Sequence, residues 1–196
     1  MPPVRTPSVT DRLLDAAETL LAERGIRGTT MAQVAELAGV SRAWLYRHFP
    51  DKQALVGAAI IRLTDTFSAA ARAELDDIDG LAAQLAAGVR IGRDAYDDPG
   101  ALLLRLQTEE PQEYAACAGA AVSGLVPDLA AFWRPYLARA AEVGEIADGQ
   151  DLDEAAEFIA RVLISLGTMP GRTVDADDPA SVRRQIDRFV MPALRG

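Results

Sequence analysis

The stretch from Thr30 to Lys52 holds the residues of this chain best able to act together chemically. Leu45 and Phe49 stand four apart, a spacing that anchors one face of a short helix. Arg42, Ala43, Trp44, Tyr46, Arg47 and His48 fill the remaining positions of that helix. A helix lies in the major groove of DNA only if its outer face is polar and its inner face is held. The chemistry predicted here is therefore hydrogen bonding and charge pairing with a nucleic acid. Two short capped helices around a glycine supply the scaffold. Thr30 and Gln33 make a capping box for the first, Ser41 caps the second, and Val40 with Leu45 forms a hydrophobic staple. Ala35 is small where the second helix must cross, and Gly39 can take the positive φ of a tight turn. Leu45 points back into the core, which completes the steric pattern of a helix-turn-helix. Lys52 falls in the first turn of a further helix, where the dipole disfavours a cation and a nearby anion is expected.

Composition excludes most other chemistry. His48 is the single histidine and Cys117 the single cysteine. Sites needing two histidines are ruled out, an ordinary zinc site nearly so, and no intrachain disulfide can form. His48 has no cysteine or acidic motif beside it to make a nucleophile–base pair. No catalytic residue, metal or cofactor is expected, and Cys117 reads as a small buried hydrophobe. Hydrophobic residues make up 49% of the 196 positions and charged residues 25%, a globular balance. The Met1 segment leads into no signal-peptide core, and no run of eighteen apolar residues appears. With so little cysteine, the expectation is a cytoplasmic protein without a membrane partner. The net charge of −9 argues globally against nucleic acid. Its distribution does not: residues 1–75 hold nine basic and eight acidic side chains, while the rest of the chain is strongly acidic.

Helical periodicity runs through nearly the whole chain, which predicts an all-α protein of about nine helices. The first starts after Thr10 and ends at Gly25. The fourth runs from Lys52 to about Leu75, the fifth from Leu81 to about Tyr96, and a short sixth covers Leu102 to Leu106. Further helices follow Pro111 and Pro127, the latter bent by Pro135. Asp151 caps the next, which Pro170-Gly171 ends, and Asp178 with Pro179 starts the last. A boundary without a linker is expected within the fourth helix. It divides a helix-turn-helix domain, residues 8–55, from a helical effector-binding and dimerisation domain, residues 56–196.

The run Thr29-Thr30-Met31-Ala32-Gln33-Val34-Ala35, then Gly39-Val40-Ser41-Arg42-Ala43 and Leu45-Tyr46-Arg47-His48-Phe49-Pro50-Asp51-Lys52, resembles the DNA-binding domain of TetR-type transcriptional regulators. Leu13 to Ala17 and Glu23-Arg24-Gly25 match as well. The resemblance implies a homodimer that binds a pseudo-palindromic operator, usually as a repressor, and is released by a small-molecule effector. It places Thr30, Ser41, Tyr46, His48 and Lys52 at positions that commonly contact phosphates. Arg42, Ala43, Trp44 and Arg47 fall where base contacts vary, and Trp44 is larger than the residue common there. The last two helices, which look like the dimerising helices of many members, offer Ile159, Val162, Leu163, Leu166, Ile186 and Phe189 as interface. Resemblance and residue content together place an apolar pocket around Arg93, Leu103, Leu106, Gln107, Tyr114, Trp133, Tyr136 and Met169. The competing reading is a helical small-molecule-binding protein in which Trp44 blocks the groove and DNA binding is lost.

Overall fold

The computed structural model describes residues 8–94, 99–118, 124–169 and 171–196. The expected end of the fifth helix at Tyr96, and Pro170, lie outside them. Every regular element among the described residues is helical, eleven α-helices and one π-helical turn. The chain forms two compact units, Met1–Asp65 with Asp98–Val122, and Thr66–Asp97 with Ser123–Gly196. The division between the units falls inside a helix, at residues 65 and 66. Residues 98–122 group with the N-terminal unit, a partition that local pattern does not reveal.

In the first unit, α1 (Val9–Gly28) begins one residue before the expected cap. Ser8, not Thr10, is the N-cap, because Asp11 three residues on closes a reciprocal capping box with it. Gly25 interrupts α1 with φ 68°, as its expected stop role requires, and one more helical turn follows it. The short helices α2 (Met31–Leu37) and α3 (Arg42–His48) come next. Then comes α4 (Lys52–Asp76), capped by the Asp51 side chain through the Ala54 amide at 2.8 Å. By length and mean hydropathy α4 could cross a membrane. Its Leu55, Val56, Ala59, Ile60 and Leu63 are instead buried in the protein. The unit is completed by α6 (Pro99–Glu109) and α7 (Pro111–Ala118). Arg62 of α4 ties down α1 through Asp15 and Glu18, each at 2.7 Å.

The second unit holds α5 (Leu81–Asp94), α8 (Leu125–Glu142), α9 (Leu152–Thr168), α10 (Pro179–Gln185), the π turn Ile186–Val190 and α11 (Met191–Arg195). Asp151 and Asp178 cap α9 and α10 through their side chains, as read from the sequence. The helix α8 continues through Pro135. Trp133 and Leu137 of α8 sit with Leu85, Ile159 and Ile186 in one apolar core. Gly88 lets α5 meet that core, since a Cβ there would lie 2.4 Å from Trp133 Cζ2. The ring is buried and rigid, so Gly88→Val should cost about 2 kcal/mol by overpacking. That loss should appear as a melting temperature lower by roughly 4–8 °C in a thermal scan.

Candidate DNA-binding surface

The turn between α2 and α3 is built locally. The Thr30 hydroxyl accepts from the Gln33 amide at 3.4 Å and donates to Gln33 Oε1 at 2.8 Å. The Thr30 amide also donates to that oxygen, at 3.1 Å. Gly39 holds φ 64°, and the Val40 amide returns to the Ala35 carbonyl at 3.0 Å. The Trp44 amide donates to Ser41 Oγ at 3.2 Å and opens α3. Leu45 is fully buried and Phe49 nearly so, with Val34 and Ala35 of α2 also buried. Arg42, Ala43, Trp44, Tyr46, Arg47 and His48 are all exposed. The predicted division of α3 into a held face and an open face is therefore present.

The open face is cationic and aromatic. Among the described residues neither Arg42 nor Arg47 makes an ion pair. Arg47 lies 5.6 Å from the centroid of the Trp44 ring, a cation–π distance. Trp44 stacks on His48 at 4.9 Å with 21° between the planes. His48 Nδ1 donates to the Trp44 carbonyl at 3.0 Å. Trp44, at 44% exposure, is thus folded along the helix. Tyr46 is half exposed, open to a partner for its hydroxyl. Lys52 Nζ donates to the Arg27 carbonyl at 3.4 Å. The Glu113 carboxyl is held low chiefly by its hydrogen bonds to Arg27, with Lys52 adding least.

The residues read as pocket lining fall in both units. Leu103, Leu106 and Tyr114 are buried in the first unit, where Gln107 Nε2 donates to the Tyr114 hydroxyl at 3.1 Å. Trp133 and Tyr136 are buried in the second. Arg93 pairs with Asp177 and donates to the Gly167 carbonyl at 3.3 Å, and Met169 is exposed at 64%. A groove of about 370 Å³ in the second unit is lined by none of the eight residues. Ile78, Ala87, Arg90, Pro179 and Arg183 are among its walls.

The interface set also divides. Ile159, Leu163 and Ile186 are buried in the core of their own unit. Val162 and Leu166 are half-buried, and Phe189 is exposed at 57%. Phe158, beside the buried stripe of Ile159 and Leu163, is exposed at 43%. Cys117 is only half-buried, and burial still pushes its thiol up, away from the reactive thiolate. Among the described residues no group of three His, Cys, Asp or Glu could hold a metal ion.

Two capped helices around a positive-φ glycine, the second open to solvent on a cationic face, define a helix-turn-helix on an all-helical body. The sequence model of the tetR family of bacterial regulatory proteins matches residues 13–59. The HTH-type transcriptional regulator Rv1255c of Mycobacterium tuberculosis, itself uncharacterized, is 31% identical over 97% of this chain and 87% of its own. A TetR-family transcriptional regulator from a Rhodococcus species superposes with TM-score 0.65 at 24% identity, covering 96% and 98% of the two chains. The regulator FadR of Bacillus subtilis, solved with stearoyl-CoA, superposes with TM-score 0.63 at 19% identity, covering 89% and 96%. This chain belongs to the TetR family.

Proposed function

We propose that the protein is a ligand-responsive transcriptional repressor. As a homodimer it binds a pseudo-palindromic operator through α3, and a small apolar effector releases it. One observation carries the DNA-binding part: Arg42 and Arg47 stand exposed, without an ion pair among the described residues, on a helix held from behind by Leu45 and Phe49. Thr30, Ser41, Tyr46, His48 and Lys52 serve as phosphate contacts on this reading, and Arg42, Ala43, Trp44 and Arg47 face the bases. The stacking of Trp44 on His48 favours it over the alternative in which Trp44 blocks the groove, because the ring lies against its own helix. The effector part leans on the family and on relatives such as FadR, whose crystal contains stearoyl-CoA. The functional division at residues 8–55 and 56–196 belongs to the same proposal.

Selection from random DNA tests it. Wild type should return a two-fold symmetric consensus, with an affinity that falls steeply as salt rises. Tyr46→Phe and Lys52→Ala should weaken binding to every sequence alike, Lys52→Ala reducing the salt slope by about one. Arg42→Ala and Arg47→Ala should relax the consensus at individual positions, because base-edge contacts carry sequence information. The same consensus from every variant would refute base reading by α3.

A further inference from the structure

The break at Gly25 leaves two backbone donors stranded. A residue that starts a helical turn usually caps its first amides with its own side chain, and glycine has none. Here the cap comes from far along the chain. The Ile26 and Arg27 amides each donate at 2.8 Å to the two oxygens of Glu110. That carboxylate is 12% exposed and stands at the start of α7, where the Glu110 carbonyl accepts from the Tyr114 amide at 2.9 Å. A Cβ on residue 25 would fall 1.9 Å from Glu110 Oε1, so glycine also makes the seat. The Gly25 carbonyl accepts from the buried Thr29 hydroxyl at 2.7 Å. A second clamp closes on the same turn: the Arg27 guanidinium forks onto Glu113 at 2.6 and 3.0 Å.

This turn leads directly to the DNA-facing residues. Thr30, the cap of α2, follows it, and the Arg27 carbonyl is the acceptor of Lys52 Nζ. We propose that Glu110 is a positioning residue for DNA binding, which sets the register of Thr30 and Lys52 by capping the Ile26 and Arg27 amides from the start of α7. The proposal rests on the reading of α3 as the DNA-contacting helix. A carboxylate is needed because both of its oxygens accept. Glutamine offers one acceptor and turns a donor toward the other amide. Aspartate is one methylene too short to reach from the same backbone.

The experiment compares wild type, Glu110→Gln, Glu110→Asp and a control, Glu145→Ala. Glu145 caps the Leu81 amide at 2.8 Å, a similar bond that belongs to the second unit. Hydrogen exchange over residues 26–38 is read without DNA, and affinity for a random-sequence duplex is read across a salt series. Both Glu110 variants should lose protection over 26–38. They should also bind about tenfold more weakly or worse, with a salt slope reduced by about one for each phosphate no longer neutralised. Glu145→Ala should change none of these. Unchanged exchange over 26–38 overturns the proposal. So does a variant that melts earlier yet keeps the wild-type salt slope and affinity per folded molecule, since that is a structural role alone. A wild type that binds no duplex at low salt sinks the DNA-binding reading instead, and does so before any substitution is compared.

Discussion

Phe158→Arg combined with Phe189→Arg should leave the protein folded, turn dimers into monomers, and lower operator affinity by about two orders of magnitude. The helix α9 has two faces. Ile159 and Leu163 are packed into the core of their own unit, and a substitution there would damage the fold before it tested an interface. Phe158 points the other way, 43% exposed, and Phe189 on the π turn is 57% exposed. On the homodimer proposed above, these two exposed rings are the candidates for the surface that a second copy covers. In a two-fold interface each residue meets a copy of the same surface, so one arginine introduces two cations. Both side chains are solvent-facing in the single chain, so the folded monomer should lose less than about 1 kcal/mol. The affinity loss follows from geometry: once one half-site is bound, a tethered second domain meets the other at high effective concentration, and a monomer does not. Light scattering with a titration on the selected operator reads both effects. A double variant that stays dimeric would move the interface elsewhere.

The helix-turn-helix was legible in the sequence because each device that builds it acts within a few residues. Thr30 finds Gln33, Ser41 finds the Trp44 amide, and Gly39 needs only its own φ. The first helix was nearly legible. Ser8 and Thr10 are both good caps, and what decides between them is Asp11, three residues after Ser8, whose side chain returns to the Ser8 amide at 2.9 Å. The clamp on Gly25 was not legible. Gly25 could be read as a stop, but the partner of the freed amides is Glu110, and no local period links positions so far apart. Stripes such as Ile159 and Leu163 told that a face is buried, not which body buries it. The pocket candidates show the same limit of local pattern. Tyr114 and Trp133 are both buried aromatics, yet they belong to different compact units. Tyr136 keeps one local anomaly: its hydroxyl is buried with no hydrogen-bond partner in good geometry. Burial first, then the neighbouring Asp76 carboxylate, pushes its pKa up.

Leu45→Ala should abolish DNA binding while leaving the second unit folded. Leu45 is fully buried on α3, and no other α3 side chain is buried. Truncating a buried leucine costs about 2–5 kcal/mol, part transfer and part cavity. Helices as short as α2 and α3 cannot hold themselves by propensity, so packing decides whether they form. A loss of that size therefore falls on α3 rather than being spread through the molecule. The two tryptophans of the chain separate the effects, Trp44 on α3 and Trp133 in the core of the second unit. In a Trp44→Phe background the remaining fluorescence reports Trp133 alone. Leu45→Ala should leave that emission blue-shifted and native, while far-UV ellipticity falls and the random-sequence duplex no longer binds. Leu37→Ala on α2 removes as large a side chain from a site 54% exposed. It should change stability by less than about 0.5 kcal/mol and leave binding intact. If Leu45→Ala bound DNA as wild type does, α3 would not be the element that holds the reading face.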